Sequence, residues 1–207
     1  MKTKYPRTFH LPESEGYTSD DKVLSNSDHL LGKKVVCTEK KDGENTSMYS
    51  DICHARSLDS SDHESRSWVK SLHSTIKRDI PEGMRIYGEN LYAKHSIYYE
   101  NLESYFYVFS IWMNSTILSW QETEEWANLF GLVTVPVIYS GIWTKDTHSE
   151  CLSKLDLEKQ EGYVVRLADS FDVSDFSVSI AKFVRKSHVS TNNHWMYQKV
   201  VPNKLKA

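Results

Sequence analysis

One segment, residues 105–112 (YFYVFSIW), constrains the fold more than any other part of the chain. Aromatic and β-branched side chains occupy both sets of alternating positions, which is typical of a β-strand. A strand that is apolar on both faces is covered on both faces, so it lies inside a sheet and not at its edge. We therefore expect a domain built around a sheet in which this strand is central.

Five further segments predict strands, and helical patterns separate them. The predicted strands cover residues 32–37, 46–49, 85–88, 162–167 and 179–184. Residues 65–78 place apolar side chains on one helical face. Residues 119–122 have capping-box spacing, and Gly131 stands where that helix should end. Residues 147–150 repeat the capping pattern before a third helix, whereas residues 54–64 are polar and predict a loop. Antiparallel strands with inserted helices predict an α+β domain.

The composition is that of an ordinary soluble protein. The 207 residues contain no repeat and no Pro/Gly/Ser linker, so we predict a single domain over residues 1–207, with residues 187–207 as a short C-terminal extension. Three widely spaced cysteines without a CxxC pair predict reduced thiols. No window approaches about 18 uninterrupted apolar residues, so we expect a cytoplasmic protein without a membrane partner. A formal net charge of −3 gives no overall basic field for nucleic acid.

The most informative motif lies in residues 38–45 (TEKKDGEN). A KxDG tetrapeptide by itself is typical of a solvated turn between two strands. Here four more segments follow it in order. They are residues 87–90 (YGEN), 105–109 (YFYVF), 161–166 (EGYVVR) and 181–186 (AKFVRK). The ordered series carries the functional prediction, because a single short motif would not.

This series resembles motifs I, III, IIIa, IV and V of the covalent nucleotidyltransferases, which comprise DNA ligases, RNA ligases and mRNA-capping guanylyltransferases. The resemblance covers roughly residues 35–190, which is nearly the whole chain. It implies the adenylation domain of that superfamily, in which antiparallel sheets are flanked by helices. It also implies ATP and Mg²⁺, or Mn²⁺, as cofactors.

The resemblance implies two catalytic lysines. Lys40 matches the nucleophile that attacks the α-phosphate of ATP and becomes adenylylated. A lysine with its ordinary pKa is neutral in about 0.1% of molecules near pH 7.5, so deprotonation costs about 4 kcal/mol. We expect burial, the cation Lys182 and a divalent metal to lower that cost. Lys182 itself matches the motif V lysine that grips the α-phosphate. Lys41 is expected to point to the opposite side, towards solvent.

Four further residues are implied in nucleotide or substrate binding. Glu39 matches a residue that meets the adenine edge. Asn45 matches an asparagine that RNA ligases use near the reacting 3′ end. Arg56 resembles the arginine that touches the sugar or the phosphates, although a surface arginine is an equally simple interpretation. Glu89 matches the motif III glutamate that binds the ribose hydroxyls.

An aromatic residue and a metal ligand complete the implied site. Phe109 matches the motif IIIa aromatic that stacks on adenine, with a core role as the alternative. Whether Phe109 or Tyr107 faces the pocket depends on a one-residue register. Glu161 matches the motif IV glutamate that coordinates the catalytic metal, and a carboxylate is the ligand that Mg²⁺ prefers.

Motif V departs from the usual pattern of the superfamily. Many relatives have a second lysine two positions after the first, where this chain has Val184. Arg185 and Lys186 follow immediately. We expect one of them to make the second phosphate contact, and Arg185 is the candidate site residue.

Among the branches of the superfamily, the motifs resemble those of RNA ligases best. Capping enzymes and DNA ligases normally carry an oligonucleotide-binding barrel after motif V, and the roughly 20 residues after Lys186 are too few for five strands. Residues 185–189 and 193–195 resemble the end of stand-alone RNA ligases, and the lysines beyond them would suit a phosphate backbone.

The predicted function is an ATP-dependent RNA ligase that joins an RNA 3′-OH to an RNA 5′-phosphate through lysyl–AMP. Two alternatives stay open: a minimal DNA ligase that seals nicks, and a non-catalytic nucleotide- or RNA-binding module on the same fold. Loss of Lys40, Glu161 or Lys182 would favour the non-catalytic module, and all three residues are present. The sequence identifies neither the natural RNA nor an end-healing partner enzyme.

Overall fold

The computed structural model describes residues 2–58, 62–186 and 199–207. The strands in these ranges are β1 (Phe9–His10), β2 (Lys34–Glu39), β3 (Glu44–Met48), β4 (Cys53–Ala55), β5 (Met84–Asn90), β6 (Phe106–Met113), β7 (Thr116–Ile117), β8 (Val133–Thr134), β9 (Val137–Ile142), β10 (Gly162–Leu167), β11 (Phe171–Asp172) and β12 (Ile180–Val184). The α-helices are α1 (Ser67–Ile76), α2 (Trp120–Leu129), α3 (Thr147–Ser153) and α4 (Phe176–Ser179), and 3-10 turns cover Asp28–Leu30, Glu64–Arg66 and Val173–Asp175.

These strands form two sheets. The first sheet has the order β1-β12-β10-β2-β9, and the second has the order β11-β7-β6-β5-β3-β4, with β8 beside β6. The pairs are antiparallel except for β1 with β12 and β6 with β8, which are parallel. Strand β6 is flanked by strands on both sides, as its two apolar faces predict. The predicted α+β class is therefore confirmed.

The two sheets face each other, and helices cover their outer faces. On the outside of the second sheet, Ile86 and Ile111 pack with Val69 of α1 and Ala127 of α2. Outside the first sheet, Val165 belongs to a cluster that includes residues of α3. Between the sheets, a third cluster joins aromatic and aliphatic side chains of both: Tyr5, Tyr87, Trp112, Ile117, Phe171, Phe176 and Ile180. Helix α4 thus takes part in the packing between the two sheets.

The six predicted strands are confirmed to within a few residues. Six of the described strands were missed: β1, β4, β7, β8, β9 and β11. The 162–167 prediction coincides with β10. Strand β4 overlaps the start of the segment predicted as a loop, because three residues are too few to show a period. Strand β9 is an edge strand, and its exposed Val137 and Ile142 mix with polar neighbours, so it lacks the clear alternation of a half-buried strand.

The predicted third helix is confirmed as α3, but its cap was misplaced, whereas the cap of α2 was correct. The Ser119 side chain accepts a hydrogen bond from the Glu122 backbone N–H, and the Glu122 side chain accepts one from the Ser119 N–H. Gly131 follows α2 with a φ of 66°, as a helix terminator should. Thr147, predicted as a cap, is instead the first residue of α3, and its Oγ1 accepts from the Thr144 N–H at 2.8 Å. None of the described helices is long and apolar enough to cross a bilayer.

The predicted C-terminal extension is described only in its last nine residues. Residues 187–198, which include the segment 193–195 compared above with RNA ligases, lie outside the described residues. Residues 199–207 pack against the loop that joins β5 to β6: the Asn203 N–H donates to the Tyr92 carbonyl, and the Lys204 N–H to the Tyr99 carbonyl, each at 2.9 Å.

The capping box makes a stability prediction. We expect Ser119→Ala to lower the free energy of unfolding by about 1 kcal/mol, because the Glu122 N–H loses its acceptor. Glu124→Ala, at an exposed position of the same helix, is the control and should change it by less than about 0.5 kcal/mol. Urea unfolding followed by circular dichroism measures both, and equal effects of the two substitutions would contradict the role of the cap.

Candidate active site

A cavity of about 270 Å³ lies between the two sheets. The first sheet lines it through β2, β10 and β12, and the second sheet lines it through β3, β5 and β6. Seven of the residues predicted from the sequence line this cavity: Glu39, Lys40, Asn45, Arg56, Glu89, Phe109 and Lys182. The fold therefore brings together side chains that are up to 143 residues apart in the chain, counted from 39 to 182.

The strand registers explain why these side chains share one cavity. In the second sheet, Asn45 of β3 pairs directly with Glu89 of β5, so both side chains project from the same face. In the first sheet, Val164 of β10 pairs with Thr38 on one side and with Lys182 on the other. Each sheet thus presents one row of cross-strand neighbours to the cavity.

Lys40 lies at the start of the turn that joins β2 to β3. Its backbone N–H donates to the Gly162 carbonyl at 2.9 Å. Its side-chain Nζ lies 2.6 Å from Glu161 Oε2, and Glu161 is only 4% exposed. A β-carbon at Gly162, which has a φ of 151°, would lie 2.0 Å from the Phe183 carbonyl oxygen. Glycine at this position therefore lets β10 approach β12 closely, with Glu161 facing Lys40.

The charge state of Lys40 differs from the expectation. Burial lowers the pKa of Lys40, but the carboxylates of Glu161, Glu89 and Asp42 raise it, and the net result lies above the ordinary lysine value. The residues of the protein alone thus hold Lys40 protonated. Burial does act in the expected direction, but in the protein without its ligands the neighbouring acids outweigh it.

Lys182 lies on the first sheet with its cation near Lys40. Burial lowers the pKa of Lys182, and the positive charge of Lys40 lowers it further, while Asp21 opposes this shift. The Lys182 Nζ is 3.8 Å from Asp21 Oδ1. Arg56 also lines the cavity, and its Nε–H donates to the Tyr5 carbonyl at 3.0 Å. Two cations, Lys182 and Arg56, therefore join Lys40 around one end of the cavity.

Lys41 does not face solvent, and that expectation is wrong. Its side chain is 10% exposed, and its Nζ lies 2.9 Å from Glu39 Oε1. The ammonium group also stacks over the rings of Tyr99, at 4.9 Å from the centroid, and Tyr107, at 5.4 Å. The residue was misjudged because it belongs to a turn, where the alternation of a strand does not apply. Glu39 and Lys41 form one ion pair on the cavity wall.

Phe109, and not Tyr107, lines the cavity. Both rings point towards the first sheet, but Tyr107 lies beneath Lys41, while Phe109 packs edge-on against Tyr5 with ring centroids 5.2 Å apart. Val164 and Ile180 line the cavity as well and make this part of it apolar. A flat aromatic base would suit such a wall, since ring faces and aliphatic side chains both pack on π-systems.

Glu89 is a buried acid among other acids. Burial raises the pKa of Glu89 to about 8; Lys40 and the Gly43 N–H act against this shift, and Glu161 and Asp42 add to it. The Gly43 N–H donates to Glu89 Oε1 at 3.2 Å. Perturbed acids in a cleft are characteristic of functional sites.

Two of the predicted site residues, Glu161 and Arg185, are not among those that line the cavity, and of these Glu161 contacts Lys40 whereas Arg185 bonds elsewhere. The Arg185 Nε–H donates to the Gln160 carbonyl at 3.1 Å. Lys186 is exposed. The role of either residue at a second phosphate stays a prediction.

The sequence pattern also missed part of the cavity wall. Residues 5–8 and Asp21 line it, as do Val135 and Arg166. The N-terminal residues reach the cavity because β1 pairs in parallel with β12, which a two-residue strand cannot signal in advance. Val164 and Arg166 lie on the same face of β10, so the alternation along this strand could have predicted that both face the cavity.

A divalent cation bound by Glu161 would take its other ligands from water and phosphate. The described residues contain no group of three or more His, Cys, Asp and Glu side chains arranged as a metal cage. Glu161 supplies a buried anionic oxygen beside Lys40. This donor set fits Mg²⁺, which usually binds through one or two carboxylates and substrate phosphates.

Comparison with solved structures identifies the class of fold. An archaeal ATP-dependent RNA ligase superposes with a TM-score of 0.59 at 15% identity, over 88% of this chain and 48% of that chain. The Naegleria gruberi RNA ligase with PPi gives 0.55 at 16% identity, over 92% and 60%. A mutant of that ligase with ATP and Mn gives 0.51 at 17% identity, over 89% and 61%. The chain thus spans about half to three-fifths of these proteins and has the ligase nucleotidyltransferase fold.

The sequence places the chain more narrowly. The model of the RNA ligase family matches residues 33–184, which is most of the chain. The protein therefore belongs to the RNA ligase family, and the resemblance drawn from its motifs is confirmed. No curated protein matches the chain.

The burial of Glu89 makes a prediction about pH. Between about pH 4.5 and pH 8 the folded protein holds a proton at Glu89 that the unfolded chain has released, so Glu89 makes stability fall as pH rises through this window. We expect Glu89→Gln to raise the melting temperature, with a gain that grows from about pH 5 to about pH 8. Glu82→Gln, at an exposed glutamate, is the control and should show no such trend. A gain from Glu89→Gln that does not depend on pH would contradict this assignment.

Proposed function

We propose that this protein is an ATP-dependent RNA ligase that joins an RNA 3′-OH to an RNA 5′-phosphate through an AMP carried on Lys40. The observation that carries the proposal is the position of the Lys40 amine: it lies 2.6 Å from Glu161 in a cavity that Lys182 also lines. Membership of the RNA ligase family supports it.

In this proposal each part of ATP meets its own set of residues in the cavity. The adenine ring packs against Phe109 and the aliphatic side chains of Val164 and Ile180, with Glu39 at the base edge. Glu89 accepts hydrogen bonds from the ribose hydroxyls. Lys182 and Arg56 bind the phosphates, since cations with several N–H donors are the usual partners of phosphate oxygens.

In the first step Lys40 Nζ attacks the α-phosphorus, the new bond is N–P, and the bond to pyrophosphate breaks. The attacking amine has to be neutral, so the proton that the neighbouring acids hold on Lys40 must leave first. The Lys182 ammonium stabilises the negative charge that builds on the α-phosphate oxygens. A divalent cation at Glu161 would supply further positive charge for the phosphates and would oppose the charge on Lys40.

Two further displacements complete the reaction. The AMP passes from Lys40 to the 5′-phosphate of RNA and forms a 5′–5′ pyrophosphate. The 3′-OH then attacks the 5′-phosphate, the phosphodiester forms and AMP leaves. Asn45, which lines the cavity beside Glu89, positions the reacting 3′ end. All three steps are in-line displacements at phosphorus, for which positioning provides much of the rate.

The first test is formation of the covalent intermediate. We expect wild-type protein to retain radiolabel from α-labelled ATP through denaturing electrophoresis, and peptide mapping to place AMP on Lys40. Lys40→Arg should abolish the adduct while it keeps a cation beside Glu161, because a guanidinium stays protonated. The control is Lys154→Arg, the same exchange in the exposed pair of Lys154 with Glu150 at 2.8 Å. Label that persists in Lys40→Arg, or AMP mapped to Lys41, would overturn the assignment.

The second test separates RNA joining from DNA joining. RNA and DNA strands of the same sequence, each with a 5′-phosphate and a 3′-OH, are offered with ATP and Mg²⁺. We expect RNA to be joined at least about tenfold faster, because a site that hydrogen-bonds a 2′-hydroxyl loses that contact on DNA. RNA with a 5′-hydroxyl is the control and should give no product. Equal or faster joining of DNA would assign the protein to the DNA ligases instead.

A further inference from the structure

The last nine described residues form a segment that the family match does not include. This C-terminal segment, residues 199–207, follows the matched range 33–184. It binds the loop between β5 and β6 along its backbone: the Lys94 N–H donates to the Val201 carbonyl at 2.8 Å, and the Lys204 N–H to the Tyr99 carbonyl at 2.9 Å. Such regular pairing fixes the loop and the segment to each other.

Asn203 is the centre of this contact. It is 1% exposed, and its side chain bonds to the loop at both ends. The amide oxygen accepts from the Tyr99 N–H at 2.9 Å, and the amide nitrogen donates to the carbonyls of Leu91 at 2.7 Å and Ala93 at 3.3 Å. A buried amide with its donors and acceptor satisfied specifies one geometry, because any shift leaves a polar group unpaired.

On its other side the same loop holds the turn that carries Lys40. Asp42 Oδ2 accepts from the backbone N–H groups of Ser96 at 2.8 Å and Ile97 at 2.7 Å. The Asp42 N–H in turn donates to the Tyr99 hydroxyl at 3.0 Å. Asp42 is buried and lies two residues after Lys40. The loop is therefore a link between Asn203 and the nucleophile turn.

The turn needs this support because its two flanking strands belong to different sheets. Strand β2 pairs within the first sheet and strand β3 within the second. No single ladder of hydrogen bonds runs through residues 40–43, so contacts from outside the ladders fix the turn. Tyr99 provides two of them, since Lys41 also lies over its ring.

We propose that Asn203 is a positioning residue for the adenylylation step, acting through Tyr99 and Asp42 on the turn that carries Lys40. This inference rests on the proposed function for its kinetic consequence, but the mechanical link stands on the contacts alone. The C-terminal segment thereby belongs to the machinery of the first step, although it contributes no side chain to the cavity.

Self-adenylylation with labelled ATP tests the inference. We expect Asn203→Ala to slow adduct formation at saturating ATP about tenfold, because small misplacements of a nucleophile cost large factors in rate. The KM for ATP should change less than about twofold, since Phe109, Val164 and Lys182 lie outside the turn. Val201→Ala is the matched control: it alters an exposed side chain of the same segment and keeps the backbone contact. An Asn203→Ala rate equal to that of wild type would overturn the proposal.

A double-mutant cycle distinguishes positioning from general stability. Tyr99→Phe removes only the hydroxyl that Asp42 N–H bonds to, and it leaves the ring beneath Lys41. We expect it to slow the adduct step by itself in a protein that melts near the wild-type temperature. If Asn203 acts through Tyr99, the double variant is no slower than the slower single variant. Rate effects that simply multiply would overturn the proposed route.

Hydrogen exchange gives a readout that does not depend on activity. We expect the Asp42 amide to exchange at least about tenfold faster in both single variants than in wild-type protein, because its acceptor is lost or loosened. Unchanged exchange at Asp42 would overturn the mechanical link. Wild-type protein that forms no adduct would instead refute the proposed function, and the exchange rates would still decide whether Asn203 holds the turn.

Discussion

The passage of the chain from one sheet to the other at residues 40–43 is the constraint on which the rest of the structure depends. At its start the Lys40 N–H bonds to the Gly162 carbonyl of the first sheet, and at its end the Gly43 N–H bonds to Glu89 of the second. The turn therefore bridges the two sheets. A side chain at its first residue faces groups from both layers, which neither sheet could achieve with its own residues.

Pairing of charges reduces the free-energy cost of burying carboxylates around this turn. Carboxylates buried between sheets are costly unless cations or N–H donors compensate them. Lys41 compensates Glu39, Lys40 compensates Glu161, and backbone N–H groups compensate Asp42. Glu89 accepts from the Gly43 N–H and is attracted by the charge of Lys40, but burial still raises its pKa to about 8. Glu89 is thus a destabilised member of the cavity, as functional sites often contain.

The sequence was most informative where a motif coincides with a regular strand. Asn45, Glu89 and Phe109 were predicted from their resemblance to superfamily motifs, and the structure brings all three to the cavity. Strand alternation failed at Lys41, since a turn has no period. The capping pattern misplaced the start of α3 at Thr147, where two residue types competent to cap stand side by side. Motif V predicted Lys182 in the cavity but not the placement of Arg185, which lies where β12 has ended.

Contacts between residues that are distant in the sequence could not be predicted from motifs or from strand alternation. Residues 5–8 reach the cavity through a parallel pair of only two residues, and Asn203 reaches the loop after β5 through a single buried amide. Neither leaves a repeating pattern in the chain. Their positions follow from the packing of complete sheets, which local propensity does not encode.

The electrostatics of the cavity also bear on the first step of the proposed reaction. The carboxylates around Lys40 raise its pKa in spite of burial, so the neutral amine costs more than the roughly 4 kcal/mol of an ordinary lysine near pH 7.5. The phosphates of ATP would add negative charge and raise the cost again. The positive charges of Lys182 and Arg56 would lower the cost of the neutral amine. Asp21 lies 3.8 Å from Lys182, however, and offsets part of its positive charge. Under the proposed function, additional positive charge close to Glu161 would lower this cost, because it would compete with Lys40 for the Glu161 carboxylate.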